Sequence, residues 1–227
     1  GETEKTPALS SGTHRAGMLS ANFDVCKIEG AEFRSTSNSE AIPGMASYGD
    51  HLYVLDADGN VRRFTHQLDD SCVLTLDADW ADGGVHTTNA EDVSNISISE
   101  SGRMLLSGGV FGVESVDLAT MASMECAGAG SFVLAPDGKS GLGYFPGSAL
   151  KEIRFTDTNC QIGEAELPGQ LPFDDGTVQA LTWIDGNLVV AGPDQDKNIK
   201  IAQVSPRGKV EWLGGAESDE ARFGWVH

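Results

Sequence analysis

Basic residues are scarce in this chain. Fifteen Lys and Arg stand against 34 Asp and Glu over 227 residues, a formal charge of −19. Duplex DNA, RNA and membrane surfaces are also negative, so a generic nucleic-acid or lipid-surface binder is disfavoured. Long apolar runs are missing as well. No stretch approaches the ~20 residues that span a bilayer, so no transmembrane segment is expected. Metal-type cysteine spacing is absent, with no CxxC among the four cysteines, and this removes a thiolate metal centre. The five histidines, His14, His51, His66, His86 and His227, form no HExxH or HxH pair. G-x-S-x-G, a P-loop and a strand-linked G-x-G-x-x-G are absent too, so nucleophilic and nucleotide chemistry have no visible support. Finally, no segment sustains a 3.6-residue apolar period over three turns, which excludes helical repeats.

What remains is β-structure in a repeat. Residues 1–17 (GETEKTPALSSGTHRAG) are small and polar, as a linker is. From residue 18 onward the chain reads as an all-β β-propeller. Four complete four-stranded antiparallel blades are expected at approximately 44–77, 92–130, 131–167 and 178–215. Residues 18–33 and 221–227 would supply a split or truncated fifth, and the ring itself could be larger. Each unit follows one grammar. A short apolar strand meets a tight turn, as at Tyr48-Gly49-Asp50 or Pro136-Asp137-Gly138. Glycine and aspartate supply the positive φ that short hairpins require. An apolar strand follows, then an alternating one such as Lys151-Glu152-Ile153-Arg154-Phe155, whose period of two marks a half-buried strand. A polar turn leads to a fourth strand. A β-sandwich competes, but it predicts strands without a four-strand superperiod.

Cys72, Cys126 and Cys160 mark the starts of three fourth strands, and Cys26 marks a further copy. On that register the cysteines occupy equivalent places on neighbouring blades, beyond the ~7 Å Cα separation a disulfide tolerates. The expectation is therefore buried, unpaired thiols. Asn95-Ile96-Ser97 is a glycosylation sequon by pattern.

Segments such as HLYVLDADGNVRRF and GNLVVAGPD resemble the NHL/YVTN-like and quinoprotein-like propeller repeats of bacterial exported proteins. The resemblance covers about 170 residues at superfamily level. It implies the fold and an exported protein: periplasmic, cell-surface or extracellular, with a lipid anchor as one form. A chain beginning at Gly1 fits a processed export product.

The candidate site follows from blade topology. Loops joining strands two and three share a face with loops leading to the next blade. The longer loops 77–92, 168–177 and 216–220, together with residues 56–60 and 193–198, would gather there. The predicted binding face is thus Asp56, Asp58, Asp79, Asp82, His86, Glu91, Asp92, Asp174, Asp175, Asp194, Asp196, Glu217 and Asp219. Converging carboxylates could steer a cationic partner or hold Ca²⁺. Residues 56–60 (D-x-D-x-N) match the first half of a calcium loop but lack its distal glutamate, so an ordinary Asp/Gly hairpin turn is the plainer reading. No cofactor is required. The function expected is a non-enzymatic binding or scaffold propeller with a protein partner in an exported assembly. The alternative is a Ca²⁺-dependent propeller hydrolase or lyase of lactonase type.

Overall fold

The computed structural model describes residues 27–29, 44–56, 58–67, 73–108, 112–144, 150–156, 158–165, 180–184, 187–194, 196, 198–204 and 209–216. The chain divides into two compact units, Gly1–Asn89 and Ala90–His227.

The first unit is one six-stranded sheet. Strands β2 (Gly44–Tyr48), β3 (His51–Leu55), β4 (Asn60–Gln67) and β5 (Val73–Leu76) form an antiparallel meander. The β2–β3 hairpin turns at Gly49, whose φ is +57°. β3 reads His-Leu-Tyr-Val-Leu, and its last four residues are buried on both faces of the pleat. Val61 and Phe64 of β4 bury beside them. Two short strands complete the sheet. β1 (Lys27–Glu29) pairs in parallel with β5 at the outer edge. β6 (Val85–Thr87) folds back along the start of β4. Residues 18–33 were expected to share a fifth blade with 221–227. Their described part instead extends the first sheet, and residues 221–227 lie outside the described residues.

The second unit holds three four-stranded antiparallel sheets. Their strands are β7 (Asn95–Ile98) to β10 (Ser123–Cys126), β11 (Ser131–Leu134) to β14 (Cys160–Glu164), and β15 (Ala180–Ile184) to β18 (Val210–Ala216). Between these limits run β8 (Arg103–Ser107), β9 (Val113–Asp117), β12 (Ser140–Tyr144), β13 (Lys151–Phe155), β16 (Asn187–Pro193) and β17 (Ile199–Val204). Each sheet is a hairpin meander, because tight turns leave no chain for a crossover.

Neighbouring sheets pack face to face. Leu105 and Val113 of the second sheet meet Phe132, Leu134 and Ile153 of the third. Leu150, Val133 and Leu142 of the third meet Leu181, Leu188, Val190, Ala202 and Val204 of the fourth. Phe132 is fully buried and lies against Gly143, where any β-carbon would overlap its ring. Truncating such a phenylalanine costs about 3–5 kcal/mol.

Side chains of the second sheet also satisfy the inner strand of the third. Phe132 N donates to Ser107 Oγ at 3.0 Å, and Leu134 N donates to Ser97 Oγ at 3.0 Å. Asn95 Nδ2 donates to Phe132 O at 2.8 Å. An inner strand otherwise presents unpaired backbone groups along one edge, and these bonds remove that cost. The sequon asparagine thus spends its amide on a neighbouring strand.

The cysteines depart from expectation. Cys126 and Cys160 form a disulfide with Cα atoms 5.6 Å apart, and among the described residues no cysteine is free. Their positions are not equivalent: Cys126 ends β10, whereas Cys160 begins β14. The reason is sheet twist. Roughly 20–25° per strand pair accumulates over three pairings and swings an outer strand across its neighbour. The end of one outer strand then reaches the beginning of the next, a geometry invisible to a register that compares equal heights. Cysteine equivalence therefore cannot define a working face, which must come from strand connectivity alone.

Candidate functional site

In each meander, the turn between strands two and three leaves from the same edge as the exit of strand four. This parity of direction needs no cysteine register. In the first unit that edge carries residues 56–60 and the segment after β5. The turn is built on Asp56. Its Oδ1 accepts the backbone N–H of Asp58 at 3.1 Å and of Asn60 at 2.8 Å. Asn60 Nδ2 adds a contact at 3.3 Å, and Arg62 Nη2 reaches Oδ2 at 3.5 Å. Asp56 is buried, so it closes the hairpin rather than facing a ligand. Asp58 is exposed.

β6 brings His86 beside this turn. Thr87 Oγ1 donates to Asn60 Oδ1 at 2.9 Å, and His86 lies opposite Val61 in register. Asp79 and Asp82 are exposed on the bend between β5 and β6. That bend falls in the longer loop expected at 77–92, and it is anchored. Trp80 is buried, with its ring edge-on to Tyr53 at 5.5 Å and the Arg63 guanidinium 5.3 Å over its face. Arg63 also donates to Asp77 Oδ2 from Nε at 2.9 Å and Nη2 at 2.5 Å, with His51 Nε2 at 3.4 Å from the same oxygen. Burial raises the Tyr53 hydroxyl pKa, and the hydrogen bond and charge of Arg63 oppose this. Sequence reading missed the Tyr53–Arg63–Asp77–Trp80 cluster. Its one signal was Arg63 in the alternating run Val61-Arg62-Arg63-Phe64, where an arginine on a sheet face needs a carboxylate to justify its place.

In the second unit the corresponding edge carries Asp194 and Asp196. Asp194 Oδ1 accepts the N–H of Asp196 and of Asn198, each at 2.9 Å, and Lys200 Nζ stands 3.3 Å from Oδ2. Desolvation pushes its pKa up, but the bonds from Asn198, Lys200 and Asp196 outweigh it, so the net shift is downward. Glu91 and Asp92 are exposed ahead of β7, and Asp92 adopts φ +54°. Asp174, Asp175, Glu217 and Asp219 lie outside the described residues.

Acidity is not confined to that edge. The opposite edge of the second unit carries Glu100, Asp117 and Asp137. Asp117 caps its own turn, accepting from Thr120 N at 2.9 Å, Thr120 Oγ1 at 2.9 Å and Ala119 N at 3.0 Å. Those bonds, with Thr120 first, hold its pKa below the ordinary carboxylate value. Glu114, fully buried in mid-strand β9, was another miss, because an alternating pattern gives no hint of a charged residue turned inward. No group of three or more His, Cys, Asp or Glu among the described residues is arranged to hold a metal ion. No helix among them is long and apolar enough to cross a membrane.

These sheets define a β-propeller fold. The chain is similar to the β-propeller domain of Myceliophteria thermophila Cps50 (Swd1), with TM-score 0.52 and 11% identity over 78% of this chain and 57% of that one. It is similar also to the WD40 domain of Toxoplasma gondii coronin, with TM-score 0.57 and 17% identity over 92% of this chain and 54% of that one. It therefore spans little more than half the length of either solved chain. At such identity the likeness establishes the fold. The NHL/YVTN-like affinity expected from sequence is a different propeller family from WD40. No protein-family model and no curated protein sequence matches the chain.

Proposed function

We propose that this chain is a non-enzymatic binding propeller that docks a cationic protein partner within an exported assembly. One observation carries the reading: a propeller framework bearing a formal charge of −19. Part of that charge serves the fold, as at Asp56. Asp79 and Asp82 in the first unit are exposed, and so are Glu91, Asp92 and Asp196 in the second. Such a surface accelerates encounter with a basic partner and repels acidic ones. The Cys126–Cys160 disulfide supports export, because disulfides persist in oxidising compartments. The resemblance to exported NHL/YVTN-like propellers supports the same compartment, with a lipid anchor as one form of it.

The test is site-specific photo-crosslinking from position 196, with position 137 on the opposite edge of the same unit as the control. The exported protein fraction of the source cells is the sample. A basic protein captured from 196, then purified, should bind saturably, and its affinity should fall steeply with salt. Equal capture from position 137, salt-independent binding, or turnover of a small substrate by the pure chain would each overturn the proposal.

A further inference from the structure

Asp82 sits on the bend between β5 and β6, and glycine follows it. The chain has five Asp–Gly steps, at 58–59, 82–83, 137–138, 175–176 and 185–186. The last two lie outside the described residues. Asp–Gly is the step most open to succinimide formation, because glycine has no β-carbon to shield its amide nitrogen from the preceding carboxyl. The nitrogen must also be free to react. An N–H committed to a carbonyl has to be released first, which slows the reaction.

The fold meets that requirement unevenly. Gly59 N donates to Asp56 O at 3.1 Å, and Gly138 N donates to Ala135 O at 2.9 Å. Asp137 is held as well, since its Oδ1 accepts the Lys139 N–H at 2.9 Å, and Gly138 is buried. Gly83 differs. Its N–H has no hydrogen-bond partner among the described residues, and neither has the Asp82 carboxylate. Asp82 and Gly83 are both exposed, and no atom lies within 4 Å of where a β-carbon would stand on Gly83. The bonds of this bend fall to either side: Asp82 N donates to Val85 O at 3.1 Å, and Gly84 N donates to Trp80 O at 2.7 Å. We propose that Asp82–Gly83 is a modification site at which the folded chain converts aspartate to isoaspartate.

The step is an isomerisation that uses only water. The Gly83 amide nitrogen gives up its proton and attacks Asp82 Cγ. A C–N bond forms, the carboxyl hydroxyl leaves with that proton as water, and a five-membered imide closes. Water then opens the ring. Addition at Cγ restores aspartate. Addition at the former main-chain carbonyl carbon breaks the original peptide C–N bond, so the chain now runs through Cβ and Cγ and a new carboxylate hangs from Cα. One water is lost and one is gained, so mass and charge are unchanged. The product rewires the bend. Val85 N donates to Asp82 O at 3.3 Å, and that oxygen becomes part of a free carboxylate on a longer backbone. Val85 begins β6, which carries His86 and Thr87 beside the 56–60 turn. The modification loosens the entry to β6 while the edge keeps its negative charge.

The full chain is warmed at neutral pH for several weeks, once folded and once in concentrated urea. Each sample is reduced, alkylated and digested with trypsin at mildly acidic pH. The three described steps fall on peptides 35–62, 64–103 and 104–139. Electron-transfer fragmentation then distinguishes isoaspartate from aspartate at each position. In the folded chain isoaspartate should build up at position 82 at least about threefold faster than at 58 or 137, the protection expected of one intact backbone hydrogen bond. In urea the three rates should converge. Equal rates in the folded chain, a faster rate at 58 or 137, or isoaspartate at 82 only in urea would each overturn the proposal. Asp82→Glu adds a second readout, because a six-membered imide closes far more slowly. Ageing should speed amide exchange at Val85 in the natural chain and leave it unchanged in the variant. An equal rise in both would overturn the assigned consequence for β6. None of these readouts needs a partner, so failure here is separable from failure of the binding proposal.

Discussion

The sequence D-x-D-x-N occurs at residues 56–60 and again at 194–198. Both copies connect the second and third strands of a meander. In each, the first aspartate accepts the N–H of residues i+2 and i+4 on Oδ1, and its own N–H donates to the carbonyl of i+4. In each, a cation at i+6 stands against Oδ2, Arg62 at 3.5 Å or Lys200 at 3.3 Å. The surroundings differ. The Asp56 side chain is 6% exposed and that of Asp194 is 19% exposed. The comparison separates two meanings of an acidic residue. In both turns the leading carboxylate is spent on the backbone, so it belongs to the fold. The middle residues, Asp58 and Asp196, are exposed and belong to the surface.

The sharpest way to break this comparison is to delete each leading carboxylate. Asp56→Ala removes the acceptor from two part-buried N–H donors, and an orphaned donor costs up to about 1–3 kcal/mol. For a chain of this size the melting temperature should fall by roughly 2–12 °C. Asp194→Ala, where water replaces the carboxylate, should lower it less. Asp56→Asn keeps an acceptor oxygen and should recover most of the loss. Thermal denaturation followed by circular dichroism decides. Equal losses at the two positions would show that burial does not separate them.

The contrast also explains what could be seen in the sequence. Meander topology and hairpin turns were legible because glycine, aspartate and strict alternation are local signals. The reading of residues 56–60 as a hairpin turn was local in the same way. The Cys126–Cys160 bond was not legible, because accumulated twist across two sheets has no local signature. Trp80, Arg63 and Asp77 come from a bend and a strand 14 residues apart, and no spacing rule joins them. The expected acidic face lies between these cases. Connectivity places its turns at one edge of each meander, but the other edge of the second unit also carries Glu100, Asp117 and Asp137, which the sequence reading did not weigh.

A smaller effect tests the electrostatics of the exposed copy. Bonds from Asn198, Lys200 and Asp196 outweigh desolvation and hold the Asp194 pKa below its ordinary value of 3.8. A carboxylate depressed in the folded state contributes stability that is fully present above the unfolded pKa. That contribution is lost as pH falls through the folded value. Asp194→Asn should therefore lower stability at neutral pH, and the deficit should close as pH falls below about 4, which flattens the acid limb of its stability curve. Asp117→Asn should do the same through Thr120. A titration of the carboxylate resonances that placed either midpoint above 3.8 would contradict this assignment.

The smallest expected effect is none at all, and it separates a turn from a metal loop most directly. A calcium loop converges several oxygens on one point and leaves them open to the ion. At residues 56–60, Asp56 Oδ1 already receives two backbone N–H groups, and Arg62 occupies the side of Oδ2. Binding Ca²⁺ there would require breaking the hairpin's own bonds, and the same holds at residues 194–198. Millimolar Ca²⁺ should leave the melting temperature of the full chain unchanged, and so should a chelator. An upward shift with Ca²⁺ that disappears in Asp58→Asn or Asp196→Asn would instead make these turns cation sites. It would also return a calcium-dependent hydrolase to consideration, because ligand stabilisation of that kind requires selective binding to the folded state.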